Sequence, residues 1–353
     1  MEVERRAVGL DVLKGLAGLF IVTSHLTPIL GGKTALAEAL FQPAFGVGAD
    51  LFFVVAGFLS GRSLDRLAAI NGDKVRAALA FYTGRFWRLA PLAWTVATVS
   101  ALTVWLSGGR ASPADVGAAF AFTSDFHWAG CFAGGAGCGD PRVLAHFWWV
   151  ALLAQFTLAA PVLSWVSARR LLAFVLVALM LGAFMTRPWG GALWTFRLDA
   201  LLVGALLAVE LRDGAHVAWA QAWGPIGAFE SGWWLLVAAF MARLMIGGAS
   251  GVALVLVAAI CGMMVARTVV CEPARRTLLQ TGLAWVGRRS YALYLVHPLI
   301  LDVVRWSVMP SLGFEAAAAI AITATLGCAD WLTRLSIEWL PRRARFESIL
   351  KLE

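Results

Sequence analysis

Three residues in the first hydrophobic segment have side chains that can carry charge or protons: Asp11, Lys14 and His25. At about 100° per residue, the step from Lys14 to His25 returns to within roughly 20° of the same helix face. A charged side chain at the centre of a membrane helix costs roughly 2.5–3.5 kcal/mol, so such groups face a partner or a water-filled cavity. We expect Asp11 and Lys14, one turn apart, to pair with each other. His25 has no sequence neighbour to satisfy it and is the first candidate for proton transfer.

Other polar side chains interrupt the later hydrophobic segments. Three oppositely charged pairs are expected to neutralise each other or a facing helix, namely Arg197–Asp199, Asp302–Arg305 and Asp330–Arg334. The remaining polar residues are Asp50, Arg85, Arg88, His146, Arg243 and His297. Of these, Arg243 is expected to extend to the outer interface. The others are candidates for a functional site.

Arg85 and Arg88 lie one turn apart at the predicted cytoplasmic end of a membrane helix. Two guanidinium groups on one side suit a phosphate-bearing ligand from the cytosol, because arginine binds phosphate through paired, charge-assisted hydrogen bonds. Simple anchoring at the interface is the alternative. His25 and His297 form a second set, since neutral imidazole exchanges protons near neutral pH. The sequence contains no G-x-S-x-G, H-E-x-x-H or Walker motif, so these residues alone fit an enzyme as well as a transporter.

The composition indicates a protein embedded in the lipid bilayer. Hydrophobic residues make up 60% of the 353 residues and charged residues only 14%, whereas soluble domains carry roughly 25% charged residues. The net charge of +8 comes from basic residues between hydrophobic segments. This pattern indicates cytoplasmic loops and gives no reason to expect a nucleic-acid partner. The N-terminal MEVERR leads directly into a full-length span, so no cleavable signal peptide is expected.

The hydrophobic pattern predicts an all-α fold, a polytopic membrane bundle of about ten transmembrane helices with both termini in the cytoplasm. The predicted spans are about 8–29, 44–61, 87–107, 143–166, 171–186, 191–210, 231–246, 249–266, 290–308 and 313–335. Residues 211–229 are expected to form an interfacial helix, and residues 267–289 a basic cytoplasmic segment. Because no repeat or low-complexity linker breaks the chain, residues 1–353 are predicted to form one domain.

Residues 108–142 are predicted to form a long outer loop that contains Cys131 and Cys138. A disulfide between these two cysteines is expected if the loop is extracytoplasmic. His127 is the one classical metal ligand near them, so no metal site is expected.

Several segments resemble motifs of the acyltransferase-3 family of membrane O-acyltransferases. The Lys14-x10-His25 step within LDVLKGLAGLFIVTSH is similar to the family's basic-x10-His signature, and GADLFFVVAGFLSG is similar to its next segment. FYTGRFWRLAPL resembles the family's arginine pair, with Arg85-x-x-Arg88 at the same spacing. FRLDALLVGALLA and GRRSYALYLVHPLIL, which contains His297, resemble its later segments. The matches follow the family's order from about residue 8 to 301.

The resemblance implies transfer of an acyl group, expected to be acetyl from acetyl-CoA, to a hydroxyl of a saccharide or similar acceptor. It also implies a bacterial inner membrane. By the family pattern His25 is catalytic, Lys14 is its motif partner, and Arg85 and Arg88 help to hold the acyl donor. As polar residues of the hydrophobic segments, His297 is a further catalytic candidate, and Asp50, His146 and Asp199 are further candidates for substrate binding. A general-base role for His25 is chemically coherent, since removing the hydroxyl proton activates a weak nucleophile; a nucleophilic role stays open.

The chain departs from the family pattern in the segment HFWWVALLAQFTLAAP. Many members carry two glutamates where this chain has Leu153 and Ala154, and the usual serine of the LSGF segment is Ala56. A mechanism that needs this carboxylate pair is excluded, which leaves the acceptor open. The alternative function is export or flipping of a glycan or lipid-linked intermediate. A purely structural membrane scaffold leaves the buried Lys14 and His25 unexplained.

Overall fold

The computed structural model describes residues 8–31, 47–68, 72–109, 111–165, 173, 176–177, 180, 195–196, 198–211, 236–240, 251–270 and 277–339. Every regular element that can be bounded within these ranges is helical. The α-helices are α1 (Val8–Leu30), α2 (Val47–Ala68), α3 (Lys74–Leu106), α4 (Pro113–Phe120), α5 (Ser124–Phe132), α6 (Pro141–Leu144), α7 (Trp148–Trp165), α8 (Leu198–Glu210), α9 (Gly251–Val270), α10 (Leu278–Arg288), α11 (Ser290–Ser307) and α12 (Met309–Trp339). A 3-10 turn, Ala145–Phe147, leads into α7.

Four stretches of the described chain are long and apolar enough to cross a membrane: Val8–Leu30, Lys74–Leu106, Arg142–Ala159 and Met309–Ser336. A shorter apolar helix covers Val255–Val270. The prediction of an all-α membrane protein is therefore confirmed for this part of the chain. The count of ten spans and the cytoplasmic termini stay predictions. The expected spans at 171–186 and 231–246 and the interfacial helix at 211–229 lie mostly outside the described residues.

The chain divides into two compact units. The first comprises residues 1–62, 173–189 and 198–294, and the second comprises residues 63–172, 190–197 and 295–353. The first therefore contains α1, most of α2, α8, α9, α10 and the start of α11. The second contains α3 to α7, the rest of α11 and α12. That all of these residues form one domain stays a prediction.

Glycines hold the helices of the first unit at close range. An added Cβ at Gly15 on α1 would overlap the carbonyl oxygen of Leu283 on α10, and one at Gly287 would overlap the carbonyl oxygen of Asp11. Helices in membranes gain packing energy when small residues let their backbones approach in this way. The contact between α1 and α10 therefore requires glycine at positions 15 and 287, because a side chain there would collide with the backbone of the other helix.

Helices α2 and α8 also approach each other closely at glycines. An added Cβ at Gly57 would overlap the carbonyl oxygen of Leu201, and one at Gly204 would overlap that of Val54. Leu201 and Val54 are themselves completely buried. Close contacts at glycines thus hold together α1 with α10 and α2 with α8. Three of these helices, α1, α2 and α8, carry candidate site residues of the first unit.

Helix α10 lies within residues 267–289, the segment whose basic cytoplasmic character stays a prediction. A capping box starts it, with the Thr277 hydroxyl accepting from the Gln280 N–H at 3.2 Å and the Gln280 side chain accepting from the Thr277 N–H at 3.1 Å. Leu283 and Ala284 pack against Val12 of α1. The T-x-x-Q pattern before an apolar periodicity is a sequence signal for the start of a helix at this point.

In the second unit, α3 is far longer than the span predicted for residues 87–107. Its 33 residues cover about 50 Å at 1.5 Å per residue. Asp73 starts the helix by accepting the N–H groups of Val75 and Arg76, both at 3.0 Å. The extra length extends α3 at its N-terminal end, before Trp87.

The segment predicted as a long outer loop, residues 108–142, forms short helices that fold back along α3. The Trp94 indole donates to the Phe120 carbonyl at 3.0 Å and stacks on the Phe120 ring. Trp94 lies 12 residues, or about 18 Å, before the end of α3 at Leu106. The stacked rings and the indole hydrogen bond hold α4 against α3.

The cysteines in this segment form the expected bond. Cys131 and Cys138 are joined by a disulfide across seven residues. It ties the end of α5 to the chain that follows, and the prediction of a disulfide here is confirmed.

Candidate functional site

His25 lies near the C-terminal end of α1, and its ring is fixed by its own helix. Its Nδ1 is 2.8 Å from the Ile21 carbonyl oxygen and 3.2 Å from the Ser24 hydroxyl. The expectation that no sequence neighbour satisfies His25 is therefore wrong, because Ile21 is one turn away. A carbonyl oxygen can only accept, so the proton of the neutral ring is on Nδ1 and the basic lone pair is on Nε2. This tautomer suits removal of a proton by Nε2.

Lys14 and Asp11 form the ion pair expected from their spacing. Nζ of Lys14 is 2.6 Å from Oδ1 of Asp11, and the side chains are only 13% and 3% exposed. Lys14 and His25 share one continuous helix, α1, and are about 16 Å apart along its axis. This distance exceeds what the two side chains can bridge, so Lys14 and His25 are not in direct contact.

Asp50 on α2 and Asp199 on α8 complete the predicted site residues of the first unit. Both are completely buried. Each lies N-terminal, on its own helix, to the glycine at the crossing of α2 with α8, Gly57 and Gly204 respectively. A wholly buried carboxylate belongs to the packed interior of this unit, and the binding role expected for both aspartates stays a prediction. Arg197, the predicted partner of Asp199, lies outside the described residues.

The second unit brings together two histidines that are 151 positions apart in the sequence. The rings of His146 and His297 have centroids 5.6 Å apart. Nε2 of His146 donates to the Leu295 carbonyl at 3.0 Å, and His297 is completely buried on α11. The 3-10 turn before α7 places His146 against α11 in this way. The sequence singled out both residues, but only the fold shows that they are neighbours.

Arg85 lies on α3 with its guanidinium held from two sides. One nitrogen donates to the Ser63 hydroxyl at 2.7 Å, and the cation lies 5.3 Å from the centre of the Phe81 ring. The side chain lines a cavity of about 510 Å³ between α3, α7 and the turn before α5, with Gln155 and Thr123 in its wall. We call this space the Arg85 cavity.

Arg88 lines a different space. Its side chain is exposed and borders a groove of about 660 Å³ between α3, α11 and α12. The expectation that both arginines present their guanidinium groups to one side differs from this arrangement. The two side chains are only about 60° apart around the helix, and they line separate spaces because different helices pack beside them, α7 near Arg85 and α11 and α12 near Arg88. We call this second space the Arg88 groove.

Comparison with protein-family models finds a match to the acyltransferase domain of the acyltransferase-3 type over residues 8–334. The chain belongs to the acyltransferase-3 family. Comparison with curated proteins and with solved structures finds no match. The resemblance drawn from the sequence motifs is thus confirmed, and this membership indicates membrane acyltransferase activity.

Within this acyltransferase-3 chain, one buried polar contact was missed from sequence. The Gln155 amide donates to Oδ1 of Asp125 at 2.9 Å and to the Phe122 carbonyl at 3.1 Å. Asp125 is completely buried, and its own carbonyl accepts from the Thr195 hydroxyl at 2.8 Å. No spacing rule links residues 30 positions apart on different helices. Gln155 therefore secures the turn before α5 that forms part of the wall of the Arg85 cavity.

Two further polar contacts of the family domain lie around the short helices after α3. His127 approaches Asp115 at 2.6 Å, and Asp115 also accepts the N–H groups of Ser112 and Gly139. Arg142 donates from Nε to both carboxylate oxygens of Asp140 at 2.9 Å. This hydrogen bond lowers the pKa of Asp140 below its ordinary value. These contacts order the polypeptide that leads into α7.

The predicted charge pairs near the ends of α11 and α12 are confirmed. Arg305 and Asp302 are 3.0 Å apart, and Arg334 and Asp330 are 2.9 Å apart. Arg334 is 70% exposed, so its pair adds little to stability. These four residues are accounted for by their mutual pairing.

Proposed function

We propose that this protein transfers an acyl group, expected to be acetyl, from a cytosolic acyl-CoA to a hydroxyl of a glycan or related acceptor at a bacterial inner membrane. Family membership supports the acyl transfer. The observation that carries the proposal within the molecule is the hydrogen bond from Nδ1 of His25 to the Ile21 carbonyl. It leaves the basic nitrogen, Nε2, as the acceptor for a hydroxyl proton.

In the proposed step, Nε2 of His25 takes the proton of the acceptor hydroxyl while the hydroxyl oxygen bonds to the thioester carbonyl carbon. The carbon–sulfur bond then breaks, and the departing sulfur takes the proton back from the imidazolium. The ester and free CoA are the products, and no electron donor or acceptor is consumed. General base catalysis of this kind contributes typically about 10²- to 10⁴-fold in rate.

Arg85 is the arginine that we propose for binding the phosphates of the donor. Ser63 and Phe81 hold its guanidinium in place, so a phosphate would meet a cation that is already oriented. His297 and His146, which pack together on the same unit as Arg85, are proposed to contribute a second histidine and a substrate contact. Lys14 is proposed to act indirectly, by keeping the buried carboxylate of Asp11 neutralised.

The test is consumption of labelled acetyl-CoA by protein purified in detergent, measured as free thiol with and without a saccharide-containing membrane extract. We expect slow release alone and faster release with the extract. Arg85→Ala should raise the donor concentration for half-maximal rate by at least about tenfold, because it removes charge-assisted hydrogen bonds. Arg334→Ala is the matched control, since this arginine on α12 is exposed and paired with Asp330.

Failure of the wild-type protein to bind any acyl-CoA would contradict the proposal. Movement of a glycan or lipid-linked intermediate across vesicles without any thiol release would instead favour the exporter or flippase. Equal effects of Arg85→Ala and Arg334→Ala would remove Arg85 from the donor site.

A further inference from the structure

The Arg88 groove has a composition that differs from a coenzyme site. On α3 it extends from Trp87 to Val99, and it is closed by Leu299 of α11 and by Cys328 and Trp331 of α12. Among the described residues that line it, Arg88 is the one with a charge, and most of the wall is apolar. The groove therefore combines a single cation at one end with a long apolar trough.

Within the part of the chain that the structure describes, Arg88 has no protein partner. No hydrogen bond or ion pair joins its guanidinium to another residue of the described chain. An arginine in a membrane helix is costly unless an anion or water meets it. Neighbouring Arg85 is held by Ser63, whereas Arg88 is exposed at the mouth of the groove. This places a cation where a ligand can reach it.

Among the four candidate membrane spans of the described chain, the two that border the groove, in α3 and α12, have the smallest shares of buried residues. Only 33% of the residues are buried in the apolar stretch of α3, and 22% in that of α12, against 61% in α1 and in Arg142–Ala159. In a membrane protein such exposed apolar faces are solvated by lipid chains. Trp87 and Trp331 at the groove are 42% and 59% exposed.

The length of the groove matches one lipid chain. From Trp87 to Val99 the rise along α3 is about 18 Å, close to the roughly 15 Å of hydrocarbon in one leaflet. Arg88 is at the end nearest the basic start of α3, where Lys74 and Arg76 lie. By the positive-inside rule this end faces the cytoplasm, where the headgroups of the inner leaflet carry negative charge.

We propose that the Arg88 groove binds an anionic glycerophospholipid, with one acyl chain along α3 and the headgroup phosphate on the Arg88 guanidinium. The two arginines of the R-x-x-R pair then serve different ligands: Arg85 the donor in its own cavity, and Arg88 a lipid of the bilayer. The lipid site does not depend on the acyl transfer, because it is formed by the groove and by a residue outside the Arg85 cavity.

Cys328 provides the readout, because it lies in the wall of the groove and is neither fully buried nor in a disulfide. Delipidated full-length protein in detergent is titrated with phosphatidylglycerol or with phosphatidylcholine of identical chains. The alkylation rate of Cys328 by a maleimide is followed by peptide mass spectrometry. We expect phosphatidylglycerol to slow alkylation at about tenfold lower concentration than phosphatidylcholine, as for a charge-assisted contact.

Three variants assign this preference to a residue. Arg88→Gln should abolish the preference for the anionic lipid, and Arg88→Lys should keep most of it, since lysine retains the charge. Arg334→Gln on α12, whose side chain is exposed and does not line the groove, should behave like wild type. Size-exclusion profiles identify any variant that fails to fold. If Arg88→Gln fails to fold, the lipid preference of Arg88→Lys is compared with that of wild type instead.

Equal protection of Cys328 by the two lipids would overturn the proposal, as would an unchanged preference in Arg88→Gln. Protection by acetyl-CoA at lower concentration than by phosphatidylglycerol would assign the groove to the donor instead. The assay includes no acceptor and no turnover. If the protein binds the lipid but releases no thiol from acetyl-CoA, the proposed acyl transfer fails while the lipid site stands.

Discussion

His25 illustrates how one backbone contact can set the chemistry of a side chain. The Ile21 carbonyl, four residues earlier on α1, fixes the protonated nitrogen of the ring. The Ser24 hydroxyl also donates to this carbonyl, at 2.8 Å. The helix backbone thus fixes which ring nitrogen carries the proton, a task that an acidic side chain performs in a catalytic triad.

At the same scale, the Gln155 contact should have a measurable effect on stability. Gln155→Ala removes the side-chain donor to Asp125, whose carboxylate stays completely buried. We expect a loss of about 1–3 kcal/mol in the free energy of unfolding, the usual result of leaving a buried polar group without its partner. Thermal unfolding in detergent measures it.

Leu158→Ala is the control for this measurement, because Leu158 lines the same cavity but is 62% exposed. Its unfolding temperature should stay close to that of wild type. A Gln155→Ala protein as stable as the Leu158→Ala protein would show that the amide contact is not a determinant of stability.

The Asp140–Arg142 pair predicts a dependence of stability on pH. The hydrogen bond from Arg142 lowers the folded pKa of Asp140, so its contribution is present above the unfolded pKa of about 4 and is lost as the pH falls through the folded value. Arg142→Gln should therefore reduce stability at neutral pH and flatten the acid side of the profile. Unfolding temperatures from about pH 6 down to pH 3 provide the measurement. An unchanged acid slope in Arg142→Gln would contradict this assignment.

At the scale of elements, the crossing of α1 with α10 holds the segment that carries Lys14. Gly287→Ala would push a methyl group into the Asp11 carbonyl, and backbone cannot move aside as a flexible side chain can. We expect a loss of several kcal/mol, large enough to lower the yield of folded protein, as judged by size-exclusion chromatography and thermal unfolding.

Gly282→Ala on the same helix is the matched control, since nothing lies within 4 Å of an added Cβ there. It should be neutral or slightly stabilising, because alanine favours a helix over glycine by about 1 kcal/mol. Equal behaviour of the two variants would show that α1 and α10 do not depend on this close approach.

The disulfide is the covalent constraint on the element that folds back along α3. Replacing both Cys131 and Cys138 by serine releases a loop of seven residues. The chain-entropy estimate for such a loop is about 2–3 kcal/mol. A fall in the unfolding temperature is expected in the double variant, and reduction of the wild type should reproduce it. No change in either case would mean that the short helices hold the segment without the bond.

At the scale of the whole molecule, the sequence predicted the class of fold and the contacts between residues one helical turn apart better than the contacts between distant segments. Hydrophobic runs identify membrane helices because lipid selects composition directly, and the Lys14–Asp11 pair follows from helical spacing. The contact of His146 with His297 and the separation of Arg85 from Arg88 depend on packing between distant segments.

The central claim, that Nε2 of His25 removes the acceptor proton, is tested most directly by the turnover rate of His25→Ala beside Ser24→Ala. Both are assayed as folded protein, by thiol release from acetyl-CoA with the saccharide-containing extract. We predict a loss of at least about 10²-fold in His25→Ala. Ser24→Ala should stay within a few-fold of wild type, since the Ile21 carbonyl still fixes the ring. Turnover by His25→Ala at the wild-type rate would contradict the account.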